Sequence, residues 1–87
     1  MIWVGSVVRN VGKTGVWKTG VVVMRVPAGV SAWHLLRRAG LDSCYVRRGL
    51  TRIRDGWVVR IPDPRRAGRT RNIFPHTGCI EEVRDGE

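Results

Sequence analysis

Two β-rich runs open the chain and exclude a purely helical fold. Valine, isoleucine and tryptophan dominate residues 2–8, and valine fills most of residues 21–26, which Pro27 closes. β-branched and aromatic side chains favour extended backbone, where they pack well on a pleated surface. A glycine-rich segment joins the two runs, and glycine supplies the positive φ that tight turns require. The sequence therefore predicts an N-terminal β-hairpin within residues 1–27.

A short helix is predicted after this hairpin. Ser31 is a favoured N-cap for a helix over residues 32–39. Trp33 and Leu36 would share its buried face, because residues three apart lie on one side of a helix. Gly40 is the residue type that most often follows a helix end, so we expect the helix to stop there.

A second helix is predicted over residues 42–55. Its apolar residues recur at steps of four, three and four, which is the spacing of one buried helical stripe. The stripe consists of Val46, Leu50, Ile53 and Trp57. Most arginines of this segment fall off the stripe, so they would face solvent.

A second hairpin is predicted after the second helix. Trp57, Val59 and Ile61 alternate with other residues, as in a half-buried strand. Residues 72–74 provide a returning strand, and the arginine-rich residues 65–71 would form the loop between the two strands.

The order of helix, turn, helix and hairpin resembles a winged helix-turn-helix DNA-binding domain over residues 31–74. The resemblance rests on Leu35, Leu36 and Ala39 before the turn, Gly40 and Leu41 within it, and Val46 and Leu50 after it. It implies that residues 42–55 form a recognition helix for the major groove and that residues 65–71 form the wing. The chain departs from the family in one respect, since such domains usually begin with a helix and this chain begins with β-rich residues.

We therefore predict a small α+β domain over residues 1–80, with an N-terminal β-hairpin, a helix-turn-helix and a β-hairpin wing. Residues 81–87 hold four acidic side chains and one arginine, and they form an acidic C-terminal tail. A β-grasp-like fold is the alternative, and it requires residues 44–51 to form a strand. The helical spacing of the apolar residues in this region favours the first fold.

An excess of arginine indicates a polyanionic partner. The formal net charge is +9, and fourteen of the sixteen basic residues are arginines. Arginine presents a planar set of donors that fits phosphate oxygens and guanine edges. Only three acidic residues precede residue 72, so the positive charge is concentrated on the predicted second helix and wing. Duplex DNA is the favoured partner.

Ten residues are predicted to contact nucleic acid, in two groups. Those near the start of the recognition helix would meet base edges or phosphates: Ser43, Tyr45, Arg47 and Arg48. Those further along the helix and in the wing would neutralise backbone phosphates: Arg52, Arg54, Arg65, Arg66, Arg69 and Arg71.

These features favour a small DNA-binding protein, either a transcription regulator or an accessory factor for recombination or packaging, encoded by a virus or mobile element. One alternative is a structural or interaction protein, such as a virion component, a ribonucleoprotein subunit or an inhibitor of a host nucleic-acid machine, whose arginines would meet an acidic protein. The other is an RNA-binding module that uses a β-face with tryptophan and arginine. The expected location is the host cytoplasm or nucleoid, or the virion.

No enzyme, cofactor or membrane segment is predicted. The serine, cysteine and histidine residues are not arranged as nucleophile, base and orienting group. His76 and Cys79 have the spacing of half a zinc site, but His34 and Cys44 lie too far apart in sequence to supply the other half. No apolar run approaches the eighteen or more residues of a spanning helix.

Overall fold

Five antiparallel strands and one short helix make up the computed structural model, which describes residues 1–13 and 15–84. In chain order the elements are β1 (Val7–Asn10), β2 (Thr19–Val26), α1 (Ala32–Arg38), β3 (Gly56–Pro62), β4 (Thr70–Ile73) and β5 (Ile80–Glu82), with a 3-10 turn (Thr77–Cys79) before β5. The order across the sheet is β4-β3-β2-β1-β5. After β4 the chain therefore crosses to the opposite edge, where β5 pairs with β1.

The sheet buries apolar side chains on both faces. One cluster, the α1-face core, consists of Val26, Ala32, Leu36, Val46, Val58 and Phe74. The other, the concave-face core, consists of Val8, Val22, Val59, Ile61 and Ile80. Ile73 of β4 also packs against the concave-face core, although β4 and β5 lie at opposite edges of the sheet. The sheet therefore curls around this core and brings its two outer strands towards each other.

The N-terminal strands confirm the β-structure predicted for residues 1–27, because β1 and β2 pair antiparallel. A β-bulge lies between Val22 and Met24 where β2 pairs with β3. The bulge shifts the alternation of side chains by one residue. As a result, Val22 packs in the concave-face core while Val26 packs in the α1-face core. A single strand thus contributes to both cores.

The strand predicted at residues 57–61 is confirmed by β3. Trp57, Val59 and Ile61 pack in or against the concave-face core, whereas Val58 packs in the α1-face core. The returning strand is also confirmed, because β4 pairs antiparallel with β3. Arg65, Arg66 and Arg69 lie in the turn between these two strands, whereas Arg71 lies within β4 rather than in the predicted loop.

The first predicted helix is confirmed by α1. The Ser31 hydroxyl accepts a hydrogen bond from the backbone N–H of His34 at 3.4 Å, as an N-cap does. Gly40 adopts a φ of +73° and its N–H donates to the Arg37 carbonyl. The following N–H donates to the Leu36 carbonyl, which completes a glycine-dependent helix end.

The second predicted helix is wrong, because residues 42–55 form a loop with two tight turns. The backbone N–H of Val46 donates to the Ser43 carbonyl at 3.1 Å. The N–H of Leu50 donates to the Arg47 carbonyl at 3.2 Å. Both bonds span three residues rather than the four of an α-helix, and no regular helical ladder continues from either turn.

Side-chain hydrogen bonds account for the loop. The Asp42 carboxylate accepts a hydrogen bond from the backbone N–H of Cys44 at 3.1 Å, which competes with helical pairing. The side-chain amide of Asn72 in β4 donates to the Asp42 carbonyl at 3.0 Å. This second bond ties the start of the loop to the edge of the sheet.

The predicted apolar stripe is buried only in part. Val46 belongs to the α1-face core and Leu50 packs against it, but Ile53 is 92% exposed and Trp57 lies in β3. Only Val46 and Leu50 therefore reach the α1-face core, each from a separate turn, and the helical spacing of the four residues does not reflect a helix.

The predicted α+β fold with a helix-turn-helix and wing is wrong as a whole. The chain folds as a curled five-stranded antiparallel sheet with one seven-residue helix on its other face. The β-grasp-like alternative is also wrong, because residues 44–51 form turns and irregular backbone rather than a strand.

The predicted acidic tail begins within the sheet, since β5 includes Glu81 and Glu82. Residues 85–87 of that tail lie outside the described residues. Among the residues described, no helix has the length and apolar character needed to cross a membrane.

Candidate nucleic-acid interface

A cavity of about 390 Å³ opens beside β4, on the concave side of the sheet. Its walls include Ile61 and Ile73, whose side chains also contact the concave-face core. Trp17, from the connection between β1 and β2, and Tyr45, from the loop after α1, line it as well. Segments that are distant in sequence therefore form one recess, here called the β4-edge cavity.

Arg71 supplies positive charge to this cavity. Residues two apart in a strand share a face, so Arg71 lies on the same side of β4 as Ile73. Its guanidinium carbon lies 4.4 Å from the centre of the Tyr45 ring. Within residues 1–13 and 15–84, no group forms a hydrogen bond or ion pair with the guanidinium of Arg71, and its Nε atom is buried without a partner. Packing thus holds this charge in place without an anion to neutralise it.

Arg52 lines the same cavity but is bound to the backbone. Its two terminal nitrogens donate to the carbonyls of Phe74 and Pro75, each at 2.7 Å. The guanidinium also lies 4.1 Å from the centre of the Phe74 ring. Burial lowers the pKa of Arg52 from its ordinary value. Arg52 therefore joins the loop to the end of β4.

Two further depressions adjoin the β4-edge cavity and share residues with it. Tyr45 lines the first of them together with Arg66 and Arg69 from the turn between β3 and β4. Arg52 and His76 line the second, together with Arg54. Because each depression shares at least one residue with the cavity, we group the three as one surface. We define this surface, the basic track, as Arg54, His76, Arg52, Arg71, Tyr45, Arg69 and Arg66.

Two carboxylates lie at one end of the basic track, and both are held by local hydrogen bonds. The thiol and then the backbone N–H of Cys44 lower the pKa of Asp42. The same contact raises the pKa of the Cys44 thiol, which favours its protonated, unreactive form. Asp63 accepts a hydrogen bond from the backbone N–H of Arg65 at 2.9 Å. These acids shape the turns and offset part of the positive charge at that end.

A second basic and aromatic cluster lies on α1. The guanidinium carbons of Arg48 and Arg37 lie 4.8 Å and 5.5 Å from the centre of the Trp33 ring. His34 meets that ring edge-on, with 5.0 Å between the ring centres. The hydroxyl of Ser31 donates to the Arg48 carbonyl at 2.9 Å, which fixes the loop against the helix.

The predicted site residues fall into three groups. The basic track brings together six of them: Tyr45, Arg52, Arg54, Arg66, Arg69 and Arg71. Arg47 and Arg48 instead line a depression in the second turn of the loop, beside α1. Arg65 is exposed in the turn between β3 and β4, whereas Ser43 is only 7% exposed and is poorly placed to meet a ligand.

Sequence reasoning did not assign Trp33 or His76 to the interface. For Trp33 a signal existed, because Arg37 follows it by four residues and such pairs meet on one side of a helix. For His76 no local signal existed, since it reaches the β4-edge cavity only through the segment that crosses from β4 to the opposite edge of the sheet.

No family model, no curated protein and no solved structure matches the chain. Among the described residues, no three histidine, cysteine, aspartate or glutamate side chains lie close enough to share a metal ion. The chemistry of the interface is therefore that of arginine, aromatic rings and one histidine.

Proposed function

We propose that the protein binds single-stranded nucleic acid along the basic track. The observation that supports this proposal most strongly is Arg71, whose charge is held over the Tyr45 ring at a cavity, with no anion among the described residues to pair with it. Nonspecific single-strand sites combine the same two features, a positive groove for the backbone and aromatic rings for the bases. A phosphate would supply the acceptor that Arg71 lacks, and such charge-assisted hydrogen bonds are the stronger ones.

The shape of the interface favours a single strand over a duplex. The helix predicted to enter the major groove is absent, and α1 buries Ala32 and Leu36 against the sheet. The β4-edge cavity is a recess, and a base can enter a recess only when it is not paired and stacked. In a duplex, extruding a base costs a few kcal/mol, which a single strand does not have to overcome.

The proposal predicts how single substitutions change affinity. Tyr45→Ala removes a ring on which a base can stack, and such stacking is worth about 1 to 3 kcal/mol per base. We expect a roughly 5- to 100-fold loss of affinity for a dT12 oligonucleotide. Arg71→Gln removes one phosphate contact, so the slope of log affinity against log salt should fall by about 0.7. Fluorescence anisotropy with a labelled dT12 at several salt concentrations measures both effects.

Arg60→Gln is the matched control for charge. Arg60 is exposed in β3, lies on the opposite face from Ile61 and does not line the β4-edge cavity. We expect this variant to bind dT12 within about twofold of the unmodified protein. Equal losses for Arg60→Gln and Arg71→Gln, or equal affinity for dT12 and a 12-base-pair duplex, would contradict the proposal.

A further inference from the structure

The cluster on α1 has no role in the site described above, although it has the same chemistry. Trp33 holds two guanidinium groups, and neither Arg37 nor Arg48 forms a side-chain hydrogen bond or ion pair within the part of the chain that the structure describes. Two like charges that share one ring repel each other, and an anion between them would relieve that repulsion. The loop position of Arg48 is fixed by the hydrogen bond from Ser31 to its carbonyl.

This cluster lies close to the β4-edge cavity along the loop. Tyr45 lines the cavity and Arg48 contacts Trp33, and only two residues separate them in sequence. Three chain steps span at most about 11 Å. Val46 is buried in the α1-face core between these two contacts, so the loop passes around the edge of the sheet at this point.

We infer that Arg37 and Arg48 bind the phosphate backbone of the same strand after it leaves the β4-edge cavity. The inference rests on the proposed function, and it adds a second contact area, the Trp33 subsite, defined as Trp33, Arg37 and Arg48. The ligand class is a single strand long enough to pass from Tyr45 over the loop to Trp33. Because cation–π contacts already hold both guanidinium groups on the indole, the two arginine side chains lose less conformational entropy when phosphate binds.

The test compares a short and a long oligonucleotide. A dT2, with a single internal phosphate, is too short to occupy both contact areas, whereas a dT12 can reach both the β4-edge cavity and the Trp33 subsite. The double variant Arg37→Gln/Arg48→Gln should bind dT2 within about twofold of the unmodified protein. It should bind dT12 roughly tenfold more weakly at about 0.1 M salt, with a salt slope reduced by about 1.4, which corresponds to two lost phosphates.

The double variant Arg60→Gln/Arg84→Gln is the control, because it removes the same charge from positions outside both contact areas. Arg60 lies in β3, and Arg84 lies just after β5, where it pairs with Glu82. Equal losses of dT12 affinity in the two double variants would overturn the inference. So would a loss that is the same for dT2 and dT12.

The two sets of variants test the Trp33 subsite and the β4-edge cavity separately. If Arg71→Gln weakens binding of both oligonucleotides while Arg37→Gln/Arg48→Gln changes neither, the cavity is the whole site and the inference is overturned. If Arg71→Gln changes neither while the double variant weakens dT12, the proposed function at the cavity fails and only the Trp33 subsite is supported. Far-UV circular dichroism checks that each variant is folded.

Discussion

Arg52 and Arg71 line the same cavity but differ in what holds them. The guanidinium of Arg52 donates two hydrogen bonds to the carbonyls of Phe74 and Pro75, whereas that of Arg71 contacts the Tyr45 ring and donates to no described group. Both residues were predicted as phosphate contacts. On the proposed function, Arg52 contributes mainly to stability and Arg71 mainly to binding.

This difference predicts that the two arginines contribute unequally to the free energy of unfolding. Arg52→Ala leaves two partly buried carbonyls without a donor, so we expect the free energy of unfolding to fall by about 2 to 4 kcal/mol. Arg71→Ala loses one cation–π contact and should cost at most about 1 kcal/mol. Urea denaturation followed by tryptophan fluorescence measures both values. A larger loss for Arg71→Ala than for Arg52→Ala would contradict the assignment.

Asp55 gives the protein a specific sensitivity to acid. Its carboxylate accepts hydrogen bonds from the backbone N–H of Ala28, at 2.8 Å, and from Arg25. The Ala28 bond first and the Arg25 bond second lower the pKa of Asp55 in the folded state. A lowered folded pKa means that the charged form stabilises the fold above about pH 4, and that this contribution is lost as the pH falls through the lowered value.

Asp55→Asn should therefore reduce the loss of stability on acidification. Thermal melts between pH 7 and pH 2.5 compare the decrease in Tm of the two proteins. We expect a smaller decrease for the variant, because asparagine can accept the Ala28 hydrogen bond but has no charge to lose. An identical decrease in both proteins would show that other carboxylates account for the acid sensitivity.

The close pairing of β2 with β3 depends on a glycine. A Cβ atom at Gly20 would lie 2.6 Å from Val59 Cγ1 and 2.7 Å from the Arg60 carbonyl oxygen. Real Cβ atoms do not approach other atoms so closely, so the strands would have to shift. The pairing of β2 with β3 links the N-terminal strands to the half of the sheet that carries the cavity.

Gly20→Ala should destabilise the fold by about 1 to 3 kcal/mol, the usual cost of overpacking. Gly49→Ala is the matched control, because no atom lies within 4 Å of its Cβ position and its φ is not positive. We expect that variant to unfold within about 0.5 kcal/mol of the unmodified protein. Equal urea midpoints for the two variants would contradict the role of Gly20.

Elements with strong local signals could be predicted from the sequence. The Ser31 cap and Gly40 specify both ends of α1, and the alternation at residues 57–61 specifies β3. Residues 42–55 could not be predicted correctly, because the hydrogen bond from Asn72 to the Asp42 carbonyl depends on a strand thirty residues away. The apolar spacing there matched a helix although only two of its residues reach the α1-face core, each from a separate turn.

Single residues of the candidate site could also be predicted from the sequence, but the contacts between them could not. Tyr45 and Arg71 were each predicted to contact nucleic acid, one in a recognition helix and the other in a wing. Their contact could not be predicted, because the loop after α1 brings Tyr45 to β4. The pairing of β5 with β1 also joins residues that are far apart in sequence. The segment that crosses from β4 to β5 contains His76 and brings it to the cavity.

The acidic side chains of β5 neutralise part of the positive charge of the molecule. Glu81 and Glu82 of β5 pair with Arg9, Arg84 and the N-terminal amine at one edge. The basic track lies at the other edge, beside β4. The positive charge near β5 is thus partly neutralised, whereas the arginines of the basic track can attract a polyanion.

On the proposed function, a single strand binds in the β4-edge cavity. The most direct test is a titration of the ¹⁵N-labelled protein with dT12, followed by the backbone amide and tryptophan indole signals. We expect the largest shifts at Tyr45, Arg71, Ile73 and His76 and at the Trp17 indole, because these groups line the cavity. Shifts confined to the exposed apolar residues Trp3, Val7 and Val21, with none at the cavity, would contradict the claim.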